Sequence, residues 1–175
     1  MNVRRESQVA WFKWILIVIC LVLIIGFIYL AYLYHAIQQN KTDGFQQTKA
    51  EVIKHTDLTE VEDISRFQSD NTYDIVLGKT KDQQQQYIFV PKNKKSTKDI
   101  TVVNTAKIIS KQDIIDQWKH QCNHCELIKV TPAMVDDKAL WEVTYRSNSN
   151  RYVLDYLSIY DGKRYQQLRL KSMFN

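Results

Sequence analysis

Two cysteines three positions apart, Cys122 and Cys125, enclose Asn123 and His124, and His120 stands one helical turn before His124. Thiolate and imidazole are the preferred ligands of zinc, so Cys-Asn-His-Cys reads first as half of a tetrahedral site. No second Cys or His pair follows elsewhere, and four ligands drawn from six consecutive residues would strain the tetrahedron. A redox-active CxxC is the second option, but such motifs sit between a strand and a helix start, and this one follows a segment patterned as a helix. The third is structural: Cys122 falls on that helix's apolar face, as a buried thiol or as one end of a short disulfide to Cys125 that closes the helix. The residues favour the structural role over redox and metal chemistry, and no cofactor is expected.

Other constellations are thinner. Glu142 and Asp155 fall in adjacent strand-like runs and can be paired as an acid and a base, although solvent-facing strand positions account for them more simply. There is no glycine-rich phosphate loop, GxSxG or HExxH, and histidine is scarce, so the chain is read as a non-enzyme. Trp141, Val143 and Tyr145 alternate along one run, and Tyr152, Leu154 and Tyr156 along the next. Most of these aromatics suit a core, but Trp and Tyr also anchor interfaces, which makes Trp141, Tyr145 and Tyr156 candidate partner contacts. Lys92, Lys94, Lys95 and Lys98 form a basic patch after Pro91. A solvated connection explains it better than binding to anionic polymer or lipid headgroups.

One segment dominates the elements that must position these residues. From Trp14 to Tyr34 there is no charge, and a helix of that length covers about 30 Å, the thickness of a bilayer's hydrocarbon core. Arg4, Arg5 and Lys13 precede it, and basic flanks stay in the cytoplasm, so the N-terminus is expected inside and the rest outside. Trp11, Trp14, Tyr29, Tyr32 and Tyr34 resemble the aromatic belts of the two interfaces. A cleaved signal would be shorter and end in a small-x-small site, and Cys20 sits mid-span after Ile19, which argues against a lipoprotein. The formal charge of +5 belongs partly to the basic tip, and without a stripe of Arg and Lys no nucleic-acid partner is expected.

Past the span, a polar stalk leads to an amphipathic helix near 44–55, with Phe45, Val52 and Ile53 on one face and a kink or break at Gly44. Val61–Phe67, Thr72–Leu77 and Tyr87–Val90 read as strands, with a glutamine-rich hairpin loop at Gly78–Gln86. Ser110 and Asp113 open a second helix as a capping box, and Ile114, Ile115, Trp118 and Cys122 form its apolar face. Leu127–Val130, Leu140–Arg146, Tyr152–Tyr160 and Tyr165–Leu170 then form a meander, whose last strand carries Arg164, Arg169 and Lys171 as edge charges. The predicted class is α+β: a transmembrane helix, then two units, each a helix packed on an antiparallel sheet.

These segments together resemble the TseB-like (YpmB) family of Gram-positive cell wall elongation regulators, with two PepSY-like, cystatin-related units. The resemblance is carried by the hairpin ending in YIFVP at Tyr87–Pro91, ISKQDII at Ile109–Ile115, LWEVTY at Leu140–Tyr145 and LDYLSIYDGK at Leu154–Lys163. CNHC is outside that pattern. The implied organisation is a cytoplasmic tip at 1–13, a span at 14–34, a first unit with stalk at 35–95 and a second at 96–175. The implied role is a regulator of wall elongation that binds a penicillin-binding transpeptidase, with no small-molecule substrate. A PepSY-type peptidase inhibitor is the alternative. A wall-stress sensor would want a signalling module inside the cell, for which about a dozen residues before the span leave little room.

Overall fold

The uncharged run does form a helix. In the computed structural model, which describes residues 3–42, 44–92 and 100–170, helix α1 extends over Val3–Thr42, so the stretch read as a stalk continues it. Its Trp14–Tyr34 segment has a mean hydropathy of 3.1, and none of it is buried within the chain. Isoleucine, leucine and phenylalanine cover its whole circumference, where a water-facing helix would need a polar stripe. Among the described residues it is one helix long and apolar enough to span a membrane.

A second compact unit begins at Gly44. Gly44 has φ +83°, a left-handed conformation that costs glycine little, and its carbonyl accepts the Thr48 N–H at 2.9 Å to start α2 (Phe45–His55). Val52 is fully buried, whereas Ile53 is left 42% exposed. The inner face is Phe45, Thr48 and Val52, since the Thr48 hydroxyl finds a buried acceptor that an apolar count overlooks.

Strands β1 (Leu58–Gln68), β2 (Thr72–Thr80), β3 (Gln85–Pro91) and β4 (Thr101–Asn104) form the first sheet in that order, all antiparallel. Gln85 and Gln86 belong to β3, so the expected long hairpin loop shrinks to a tight turn around Gln83. The short β4 was not apparent from the sequence; it lies beyond residue 95 yet completes the first sheet. Both faces of this sheet are covered. Val76, Ile88 and Val90 pack with Val52 and Leu58 under α2, while Tyr73, Ile75, Phe89 and Val103 enter a larger core shared with the second sheet. Gly78 lies where β1 shifts register, and a Cβ there would run into the Glu60 carbonyl oxygen, so only glycine lets the strands approach.

The second sheet follows a 3₁₀ turn and α3 (Lys111–Gln121). The Ser110 hydroxyl accepts the Asp113 N–H at 3.1 Å and donates to the Asp113 carboxylate at 2.6 Å, which caps the helix as the spacing predicted. Strands β5 (Glu126–Val135), β6 (Lys138–Arg146), β7 (Tyr152–Ser158) and β8 (Arg164–Leu170) make an antiparallel meander. Asp136 and Asp137, both at positive φ, form the two-residue turn between β5 and β6. Asp137 also accepts the Tyr73 hydroxyl at 2.9 Å, and the Ser69 hydroxyl donates to the Met134 carbonyl at 3.1 Å, so hydrogen bonds as well as the shared core tie the sheets together.

Candidate functional site

The three aromatic candidates are interior residues. Trp141, Tyr145 and Tyr156 are 1%, 7% and 6% exposed. The Trp141 indole meets the edge of Tyr87 at 5.8 Å and donates to the Ile109 carbonyl at 3.0 Å. Tyr145 packs on Trp118 of α3, with ring centroids 5.5 Å apart. Nor do the three share a face: Trp141 and Tyr145 alternate along β6, whereas Tyr156 sits opposite Glu142 and projects from the other side. The expected aromatic contact surface is therefore corrected to a core, because both neighbouring layers bury the alternating positions.

Glu142 and Asp155 are also not solvent-facing; they are 4% and 3% exposed. They do not approach each other either. Asp155 stands opposite Val143 and Glu142 opposite Tyr156, which puts the carboxylates on opposite faces and rules out a cooperating pair. Glu142 accepts the Tyr156 hydroxyl at 2.9 Å and the Thr144 hydroxyl at 3.2 Å, and pairs with Lys129 at 2.8 Å. Burial, reinforced by the Glu142 charge and its hydrogen bond, pushes the Tyr156 phenol well above its usual range. A phenol whose folded pKa exceeds its unfolded value of about 10 stabilises the fold below that pH and withdraws the support above it. Melting temperature is expected to fall above about pH 10, and Tyr156→Phe should make the fall shallower. An identical alkaline profile in the variant would contradict this placement.

Asp155 organises a cleft of about 350 Å³ on the α3 face of the second sheet. Arg164 grips its carboxylate with two bonds of 2.7 and 2.8 Å. Gln167 donates to the same carboxylate at 3.2 Å and to the Tyr145 hydroxyl at 3.3 Å, and its own amide oxygen accepts from Arg169 at 2.9 Å. Arg151, on the turn between β6 and β7, lines the same cleft. Arg164 thus serves Asp155 as well as guarding an edge.

Cys122 ends α3, its N–H bound to the Trp118 carbonyl at 3.0 Å, and its sulfur is joined to that of Cys125 with the Cα atoms 5.6 Å apart. His124 takes positive φ inside this small loop. Cys122 borders the cleft, so the bridge fixes one of its walls. Among the described residues no three His, Cys, Asp or Glu side chains gather as a metal would require.

In the first sheet, Asp74 is a fully buried carboxylate. It accepts the Thr48 hydroxyl at 2.6 Å and pairs with Arg66 at 2.9 Å and Lys92 at 3.3 Å. Lys92 is thereby committed to the core's polar centre instead of a basic patch; Lys94, Lys95 and Lys98 lie outside the described residues. Residues 47–91, which run from α2 through β3 and include Thr48, Arg66 and Asp74, match the model of the cell wall elongation regulator TseB-like domain. That segment resembles the TseB-like domain. It is similar to the "Probable cell wall elongation regulator TseB" of Bacillus subtilis (strain 168), with 29% identity over 153 residues, 80% of this chain and 89% of that protein. Among solved structures it is similar to the YpmB protein from Bacillus subtilis, with a TM-score of 0.67 and 28% identity, covering 73% of this chain and 98% of that one. The TseB-like resemblance read from the sequence is thus confirmed, as is the α+β fold with antiparallel sheets, each of which has four strands.

Two features escaped the sequence reading. The Asp74 centre draws on residues from α2 to Lys92, and its only local signal is an aspartate inside an otherwise apolar strand, Tyr73–Asp74–Ile75–Val76. The arginine cleft draws on a turn and an edge strand, with period-two Gln167 and Arg169 as its faint trace.

Proposed function

We propose that this chain is a membrane-anchored, non-catalytic regulator of cell wall elongation, with its N-terminus in the cytoplasm and residues 44–175 outside. The observation that carries the reading is the similarity to a probable cell wall elongation regulator over 80% of the chain. The basic residues before the span support the orientation. We propose a penicillin-binding transpeptidase as the partner; confinement to the same membrane raises its effective concentration, so a modest interface suffices. Strand β8 offers an edge for pairing, with Leu168 and Leu170 40% and 53% exposed.

Photo-crosslinking amino acids at Leu168 and Leu170 of the full chain in living cells test the proposal. Capture of a penicillin-binding protein there, and its loss when a crosslinker is placed at Lys49 on α2, is the expected result. Capture of secreted proteases alone, or of no wall-synthesis protein from either position, would discard it. A periplasm-type reporter enzyme fused to the C-terminus should be active in the same cells.

A further inference from the structure

The charges around the Asp155 cleft do not balance. Its charged lining consists of Arg151, Arg164 and Arg169 against Asp155 alone. The bidentate Arg164–Asp155 pair is internally neutral, which leaves two guanidiniums over. Among the described residues neither Arg151 nor Arg169 meets a carboxylate; Arg169 is oriented through its Nε by the neutral Gln167 amide and keeps its terminal nitrogens for another acceptor. The volume of about 350 Å³ lies at the small end of ligand sites. Two forked, permanently charged donors on a small concave wall favour one compact group with close to two negative charges. A phosphomonoester, at about −1.5 to −2 near neutral pH, satisfies both; a single carboxylate leaves one cation uncompensated.

We propose that this cleft binds the phosphomonoester group of a small ligand or of a lipid headgroup, with Arg151 and Arg169 as the charge-bearing contacts and Arg164, clamped by Asp155, as a fixed neighbouring donor. The structure prepares it in two ways. The buried Asp155 fixes Arg164 and Gln167, and Gln167 in turn orients Arg169, so these side chains have little freedom left to lose on binding. The Cys122–Cys125 bridge holds the wall at the end of α3. This site stands apart from the proposed partner contact, because Leu168 and Leu170 alternate with Gln167 and Arg169 and leave β8 from the other face.

The test uses the full chain in zwitterionic detergent micelles at constant ionic strength, titrated with glycerol 3-phosphate, inorganic phosphate or acetate and followed by calorimetry. Saturable binding of both phosphates, with acetate at least about tenfold weaker, is expected. Arg151→Gln and Arg169→Gln should each weaken glycerol 3-phosphate binding about fivefold or more, and Ser149→Asp, which adds a negative charge at the rim without touching Asp155, should do the same. Unchanged melting temperatures would show that these variants remain folded. Displacement of glycerol 3-phosphate by phosphatidate in the micelles would assign the group to a lipid headgroup, and lack of displacement to a soluble ligand; either supports the site. Equal binding of acetate, no saturation with either phosphate, or full affinity in the folded Arg151→Gln/Arg169→Gln double variant would overturn it.

Discussion

Asp74→Ala is expected to destabilise the unit from Gly44 onward by about 3–5 kcal/mol, because several charge-assisted hydrogen bonds to a buried carboxylate, each worth about 1.5–3 kcal/mol, are lost together. Its carboxylate is wholly buried and holds Thr48 of α2, Arg66 of β1 and Lys92 after β3. With Asp74 gone, Arg66 and Lys92 lose the charge between them and the buried Thr48 hydroxyl loses its acceptor. For a unit of this size the melting temperature should drop by roughly 10 °C or more. Asp74→Asn, which keeps an acceptor for Thr48 but not the charge, should fall between the two. Thermal unfolding followed by circular dichroism measures both, and a variant melting within about 2 °C of the parent would show that Asp74 is not the polar centre beneath α2. Simultaneous conversion of Asp74, Arg66 and Lys92 to apolar residues of similar size is expected to cost far less than Asp74→Ala alone, since no unpaired charge is left behind.

The second large effect is expected at Trp141. Trp141→Ala should cost about 3–5 kcal/mol, combining lost apolar burial with the cavity left in its place. The residue is 1% exposed, packs edge-on against Tyr87 from the first sheet, and satisfies the Ile109 carbonyl ahead of α3. It therefore joins the two sheets and the helix, and its loss should make the whole unit from Gly44 onward melt earlier in a single transition. Trp141→Phe retains much of the apolar area and should cost less than half as much. The comparison separates a core residue from a contact residue: a surface anchor replaced by alanine would lose partner capture while melting normally. Normal melting of Trp141→Ala would restore it as a candidate contact.

Glu142 and Asp155 illustrate why sequence reading stops short here. Each sits in an alternating strand where a carboxylate is ordinarily the solvent-facing member, yet both are buried and individually paired, Glu142 with Lys129 and Tyr156, Asp155 with Arg164. The partners lie 9 to 14 positions away, and no local propensity encodes such pairing. The same holds for β4, whose four residues make sense as a strand only beside β3.

Several elements are set by local physics and were legible from the residues. The uncharged Trp14–Tyr34 run, too evenly apolar for a water-facing helix, makes a helix long and apolar enough to cross a membrane. The Ser110–Asp113 cap placed the start of α3, and the alternating runs from Leu127 to Leu170 marked the strands of the second sheet. Tertiary structure alone decided which face each residue occupies, and therefore the site. A register shift between Tyr156 and Leu157 brings Arg164 opposite Leu157 and so turns its guanidinium to the face of Asp155; one residue of slippage in a strand exchanges its two faces, and only the packed sheet fixes that register.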